Sequence, residues 1–333
     1  MTNQSNLLEH KNKAINPKLV NYEIESMIVD SKISTVYKAK EKGSLKEVVI
    51  KTIKPVVFKG LSGQSLIRQL ENEISIIRKC SHPNIQNICD FSVDEDFAFF
   101  TLEYVEGVNF LKFIKDNIAF RLQDIIIIIL QILNALKYTH DQKIMHGDLQ
   151  PNKIILLKGQ KIKIRYFDLD NIFNISRKDD EDEGEKEFYR SPEQLRGGSV
   201  DLRTDLYSVG MILLELIARS VHKGKTSAPI RAYQMRNDPN KLAKVISANV
   251  PREFQEITLK SLKPKIEERF QTALGFSSAL LRVYKGYLAV HEKVQHKDKI
   301  KDIKHKDKIK NIKRIGALYI DKDDSVQWQS KIL

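Results

Sequence analysis

Ile144-Met-His-Gly-Asp-Leu-Gln-Pro-Asn-Lys-Ile-Ile-Leu156 sets one aspartate, Asp148, on a short polar loop between two apolar runs. The run before it, Leu122–His140, repeats apolar residues at helical spacing, and Ile154-Ile-Leu156 after it is strand-like. A further carboxylate, Asp168, ends the next strand-like run. One carboxylate to orient an attacking hydroxyl and another to hold a metal against phosphate oxygens is the layout that phosphoryl transfer needs.

Upstream of this loop, residues 22–54 carry β-branched runs, Ser34-Thr-Val-Tyr37 and Val48-Val-Ile-Lys51, punctuated by Gly43 and Ser44. They read as antiparallel strands. Ser65–Lys79 places Leu66, Ile67, Leu70, Ile74 and Ile77 on one helical face, and Glu95–Tyr104 reads as another strand. Downstream, Asp205–Arg219, Arg252–Leu262 and Gln271–Tyr284 are helical by periodicity. The fold class expected is α+β and bilobal: a strand-rich lobe over residues 22–103, a helical lobe over 108–285, and a hinge near Glu103–Gly107.

Several anchors lie in one order along the chain. Lys51 ends Val48-Val-Ile-Lys51, and Glu73 lies one predicted helix later, nine residues before His82-Pro-Asn-Ile85. Beyond the loop come Phe188-Tyr-Arg-Ser-Pro-Glu193, Asp205-Leu-Tyr-Ser-Val-Gly210 and Arg269. This series resembles the protein kinases of the serine/threonine (Hanks) type over roughly residues 22–285. The resemblance implies ATP and Mg²⁺ as cofactors and a protein substrate or regulated partner. It makes Asp148 the acceptor of the substrate hydroxyl's proton, with Lys51 on the α- and β-phosphates and Glu73 fixing that lysine. It implies a base site of Val36, Val49, Ile155 and Leu102, with the Glu103 carbonyl and the Val105 amide hydrogen-bonding the purine. It also implies that Asp205 braces the catalytic loop and that Arg269 pairs with Glu193.

The departures are concentrated in the nucleotide machinery. The glycine-rich loop is replaced by Val29-Asp-Ser-Lys-Ile-Ser-Thr-Val36, which has no glycine. Glycine lets main-chain amides approach phosphate closely, so Ser31 and Ser34 should make a poorer fit and Asp30 adds unfavourable charge. Arginine before the aspartate is replaced by Gly147, lysine by Gln150, and the metal-binding asparagine by Lys153, whose ammonium cannot ligate a cation. Asn152 stands one position too early. Two registers fit the Asp-Phe-Gly element: Asp168-Leu-Asp170 keeps the metal carboxylate, with Asp170 as a further oxygen, whereas Tyr166-Phe-Asp168 puts tyrosine at the metal position. The acidic run Asp179–Glu183 falls in the activation segment and reads either as a mimic of phosphorylation or as a solvated stretch, the second preferred because Gly147 removes the usual arginine receiver.

Composition agrees with a cored domain: 333 residues, 41% hydrophobic, and two cysteines without C-x-x-C spacing, which excludes a disulfide scaffold. The polar N-terminal 1–21 reads as a flexible lead-in, and the apolar run at Ile125–Leu130 as a buried helix, so the expectation is a cytoplasmic protein. Between Lys285 and Arg314, eleven Lys or Arg face four acids, so this segment holds +7 of the chain's +13. Residues 286–333 thus read as a basic extension containing the tandem nonapeptide of residues 296–304 and 305–313. Nine residues advance a helix by about two and a half turns, so successive Ile pairs face opposite sides and no stripe forms. A solvated tail is expected, with an acidic partner, nucleic acid or an anionic membrane as its candidate contacts. Two function classes stay open: a slow protein kinase with impaired nucleotide affinity, or a pseudokinase acting as a binding or scaffold module. A small-molecule phosphotransferase ranks behind both.

Overall fold

The computed structural model describes residues 19–31, 34–54, 63–93, 98–116, 120–165, 187–221, 250–286, 318–320 and 326–328. The chain divides into two units, Met1–Leu280 and Leu281–Leu333.

The first unit opens with a five-stranded antiparallel sheet. Its strands are β1 (Tyr22–Asp30), β2 (Ser34–Glu41), β3 (Glu47–Ile53), β4 (Ile88–Val93) and β5 (Ala98–Glu103), in the spatial order β1-β2-β3-β5-β4. Alternation along the strands sorts side chains to two faces. Ala39, Val48, Ile50 and Phe99 close on Leu19 and Tyr22 as one core cluster. The opposite face carries Val36, Lys51 and Phe100 in one cross-strand row and Lys38, Val49 and Leu102 in the next. Helix α1 (Gly63–Arg78) buries Ile74 and packs beside β4. Strand β5 lies within the span expected over Glu95–Tyr104, of which residues 95–97 lie outside the described residues, and β4 was not anticipated. Its register slips between Ile88 and Asp90, and that irregularity breaks the apolar alternation by which a strand is recognised.

The hinge leads into β6 (Val108–Asn109) and α2 (Phe110–Lys115), whose first turn is capped by Asn109. Helix α3 (Leu122–Asp141) buries Ile125–Leu133 without interruption. By length and composition alone it is apolar enough to cross a membrane, but here it is a core helix packed on α5. Strands β7 (Ile154–Leu156) and β8 (Ile162–Ile164) join β6 in a three-stranded sheet, so β7 pins the loop that precedes it. A short helix α4 (Pro192–Leu195) starts in a Ser191–Gln194 capping box. Helix α5 (Arg203–Val221) is buried on all sides, and α6 (Arg252–Ser261) lies against it. Gly210 permits that approach: a Cβ there would sit 2.3 Å from the Ser261 Oγ. Residues 273–286 form a further helix.

In the second unit, β9 (Leu318–Ile320) and β10 (Val326–Trp328) pair antiparallel. The tandem nonapeptide lies outside the described residues, as do the lead-in before Leu19 and the acidic run Asp179–Glu183.

Candidate active site

The loop around Asp148 takes its shape from one buried side chain on α5. Asp205 is 1% exposed, and its two oxygens accept from the main-chain amides of His146 (2.9 Å) and Gly147 (2.8 Å). The His140 Nε2 reaches the same carboxylate at 2.8 Å. The His146 ring accepts at Nδ1 from the Asp148 amide (3.3 Å), so Nε2 carries the proton and donates to the Arg165 carbonyl (3.1 Å). Burial holds this imidazole below its ordinary pKa, consistent with a neutral ring. Gly147 adopts φ +75°, a left-handed conformation that is strained for the arginine expected at this position. Its carbonyl accepts from the Gln194 side chain at 2.6 Å, which ties the loop to the start of α4.

Asp148 rests on that frame with 11% of its side chain exposed. One oxygen accepts from the Gln150 amide at 2.9 Å, and the other lies 3.4 Å from the Lys153 ammonium. Lys153 is 3% exposed, so the cation that replaces asparagine turns inward onto the catalytic candidate. The neighbouring Asn152 gives its carbonyl to Asn109 (3.0 Å) and to Arg165. Its side-chain oxygen is buried with no hydrogen-bond partner among the described residues. Tyr166, Asp168 and Asp170 lie outside the described residues. Among the described residues, no three His, Cys, Asp or Glu side chains converge as a metal site.

Val36, Val49, Lys51 and Leu102 share one sheet face, each half-buried. The Lys51 ammonium sits 5.9 Å from the centre of the Phe100 ring. Glu73 is placed on α1, but its side chain lies outside the described part. The β1–β2 turn is closed from within. The Ser31 amide and hydroxyl both donate to the Ser34 carbonyl at 2.9 Å, and the Ser34 amide donates to the Ser31 hydroxyl at 3.1 Å. Val29 is exposed. The charge expected from Asp30 is offset: its carboxylate is 2.8 Å from the Lys54 ammonium and accepts from the Thr35 hydroxyl at 2.8 Å. The burden that Asp30 places on phosphate is therefore smaller than its sequence position alone suggests.

At the hinge, the Val105 amide makes no hydrogen bond to any described residue. The Glu103 carboxylate pairs with Lys163 on β8, while the Glu103 carbonyl accepts from the Gln86 side chain at 2.9 Å. Ile155, half-buried on β7, lies directly under Gly107, where a Cβ would come within 2.6 Å of both the Ile155 Cγ2 and the Leu156 carbonyl. Glycine is required there.

The Glu193–Arg269 pair is bidentate, with both contacts at 2.7 Å. Burial pushes the Glu193 carboxyl up, but the hydrogen bonds and charge of Arg269, together with hydrogen bonds from its own main-chain amide and from Ser191, hold it below the ordinary carboxylate value. Arg269 also donates to the carbonyls of Lys263 (2.7 Å) and Pro264 (3.0 Å).

The protein kinase domain model matches residues 22–312. The chain belongs to the protein kinase family. It is 27% identical over 266 residues to a probable serine/threonine-protein kinase of Clostridium perfringens, covering 79% of this chain and 38% of that protein. It is 27% identical over 253 residues to the serine/threonine-protein kinase PrkC of Bacillus subtilis, covering 76% and 39%. To the serine/threonine-protein kinase ULK3 of Xenopus laevis it is 30% identical over 202 residues, covering 60% and 42%. The chain thus spans about two fifths of the length of these curated relatives. Within this protein kinase, three features escaped the sequence reading: the left-handed Gly147, the inward Lys153 and the hinge contact of Gln86. A glutamine between Ile85 and Ile88 signals only a loop, and nothing in its spacing names Glu103 as its partner.

Proposed function

We propose that this chain is an ATP-dependent serine/threonine protein kinase with weak nucleotide affinity, acting in the cytoplasm on a protein substrate. The half-buried aliphatic face of Val36, Val49 and Leu102 suits a purine ring, with the Val105 amide available as a donor. The metal is accommodated less fully. Asn152 offers a buried oxygen with no hydrogen-bond partner among the described residues, Lys153 offers no lone pair, and the roles given to Asp168 and Asp170 rest on the sequence alone. Bound ATP and Mg²⁺ supply the transferable phosphoryl group and the charge neutralisation. Lys51 would hold the phosphates, and Asp148 would orient the substrate hydroxyl and take its proton. The basic segment 286–333 would engage an acidic surface of the partner.

The observation that carries this reading is the placement of Asp148: an exposed edge of one carboxylate, on a loop fixed by Asp205 through two main-chain amides. A scaffold reading draws on a different observation, since both Asp148 oxygens already have partners in Gln150 and Lys153, and the serine-closed turn engages its own hydroxyls. Transfer of labelled γ-phosphate from Mg·ATP to a generic basic protein decides between them. Asp148→Asn should lower the rate by about a hundredfold or more. Equal rates for the two proteins would leave the scaffold as the better description.

A further inference from the structure

Gly147 joins the part of the loop held by Asp205 to Asp148, and at φ +75° it has no side chain to restrict its rotation. The peptide that follows it must therefore be held from outside. Both polar atoms of that peptide have partners. The Asp148 amide donates to His146 Nδ1 at 3.3 Å, and the Gly147 carbonyl accepts from Gln194 Nε2 at 2.6 Å. The first partner belongs to the loop itself, whereas the second comes from α4, at the end of the activation segment. The Gln194 amide is oriented by its other atom, because Oε1 accepts from the Ser191 amide at 2.9 Å. Reversing it would set oxygen against the Gly147 carbonyl and N–H against N–H. One uncharged side chain thus fixes the peptide before Asp148 and caps the first turn of α4 at the same time.

We propose that Gln194 is a positioning residue for phosphoryl transfer. By holding the plane of the 147–148 peptide, it sets the direction in which the Asp148 side chain leaves the main chain. It also makes that direction depend on where Ser191 sits, so the end of the activation segment and the acceptor of the hydroxyl proton are placed together. This inference rests on the kinase reading above and adds to it a residue that acts through Asp148 without touching substrate.

The test compares the full chain with Gln194→Leu and the near-isosteric Gln194→Glu. Glutamate keeps an oxygen to accept from Ser191, so the cap of α4 survives and only the bond to Gly147 is lost. In γ-phosphate transfer to a generic basic protein, both variants should lower kcat by about tenfold and leave KM for Mg·ATP unchanged. Hydrogen exchange, read without turnover, should be faster at the Asp148 amide in both. For Gln194→Glu, kcat relative to wild type should recover as pH falls from about 8 to about 5, because a protonated carboxyl donates to the Gly147 carbonyl again. Melting curves run alongside show which variants are folded, and Gln194→Glu serves if Gln194→Leu is not. Folded variants with wild-type kcat, or with a lowered kcat but neither faster exchange nor recovery at low pH, overturn the role of Gln194 while the kinase reading stands. A wild type that transfers no phosphate overturns both.

Discussion

Arg269→Met is the perturbation whose outcome the structure defines most sharply. The side chain is fully buried and holds both Glu193 oxygens at 2.7 Å. It also satisfies the Lys263 and Pro264 carbonyls and lies 4.9 Å over the Tyr207 ring. Methionine fills part of the volume but supplies no donor. Glu193, only 9% exposed, would keep the Thr204 hydroxyl at 3.0 Å as a side-chain donor, but no cation. Breaking a buried pair by removing one partner costs about 3–5 kcal/mol, because a charge is stranded. For a domain of this size each kcal/mol moves the midpoint by roughly 2–4 °C, so thermal unfolding followed by circular dichroism should shift down by roughly 6–20 °C. The double variant Glu193→Met/Arg269→Met strands no charge and should melt above Arg269→Met alone. A single variant melting within about 2 °C of wild type, or a double variant equal to the sum of its singles, would refute the reasoning.

Glu193 has a folded pKa below its unfolded value near 4.5, so its contribution is fully present above that pH and is lost as pH falls through the folded value. Urea unfolding between pH 7 and 3 should show this loss, and Glu193→Gln should flatten that part of the profile. Gly210→Ala sets a Cβ 2.3 Å from the Ser261 Oγ and should cost about 1–3 kcal/mol in urea unfolding, with partial recovery by Ser261→Gly. Lys153→Asn removes the ammonium 3.4 Å from Asp148 and adds an amide oxygen. Phosphotransfer should rise by about tenfold in a magnesium titration, equivalent to about 1.4 kcal/mol in the barrier. A fall would instead show Lys153 to be a working cation.

The lobes were legible because their elements advertise themselves through period. Leu122–His140 is apolar at every turn, and it is the core helix α3. The partnership of Glu193 with Arg269 was legible through resemblance, although 76 residues separate them. Strand β4 was not legible, since Asp90 and Ser92 interrupt its apolar character and its register slips. Apart from the Asp205 brace and the Glu193–Arg269 pair, which the resemblance implied, the site was readable as a set of substitutions but not as a set of contacts. That Lys153 replaces asparagine is visible in one dimension; that it turns onto Asp148 depends on how the turn after Pro151 folds back. Asp30 likewise reads as a lone negative charge until the end of β3 brings Lys54 beside it.

Asp205 suspends the turn before Asp148 by peptide groups alone. Every residue other than proline has such a group, so the suspension is indifferent to the side chains that follow at positions 150 and 153. Reactivity at those two positions can therefore drift, strengthen or lapse over evolutionary time without the peptide path giving way. Repair is short for the same reason: a few side-chain exchanges on a track already in place.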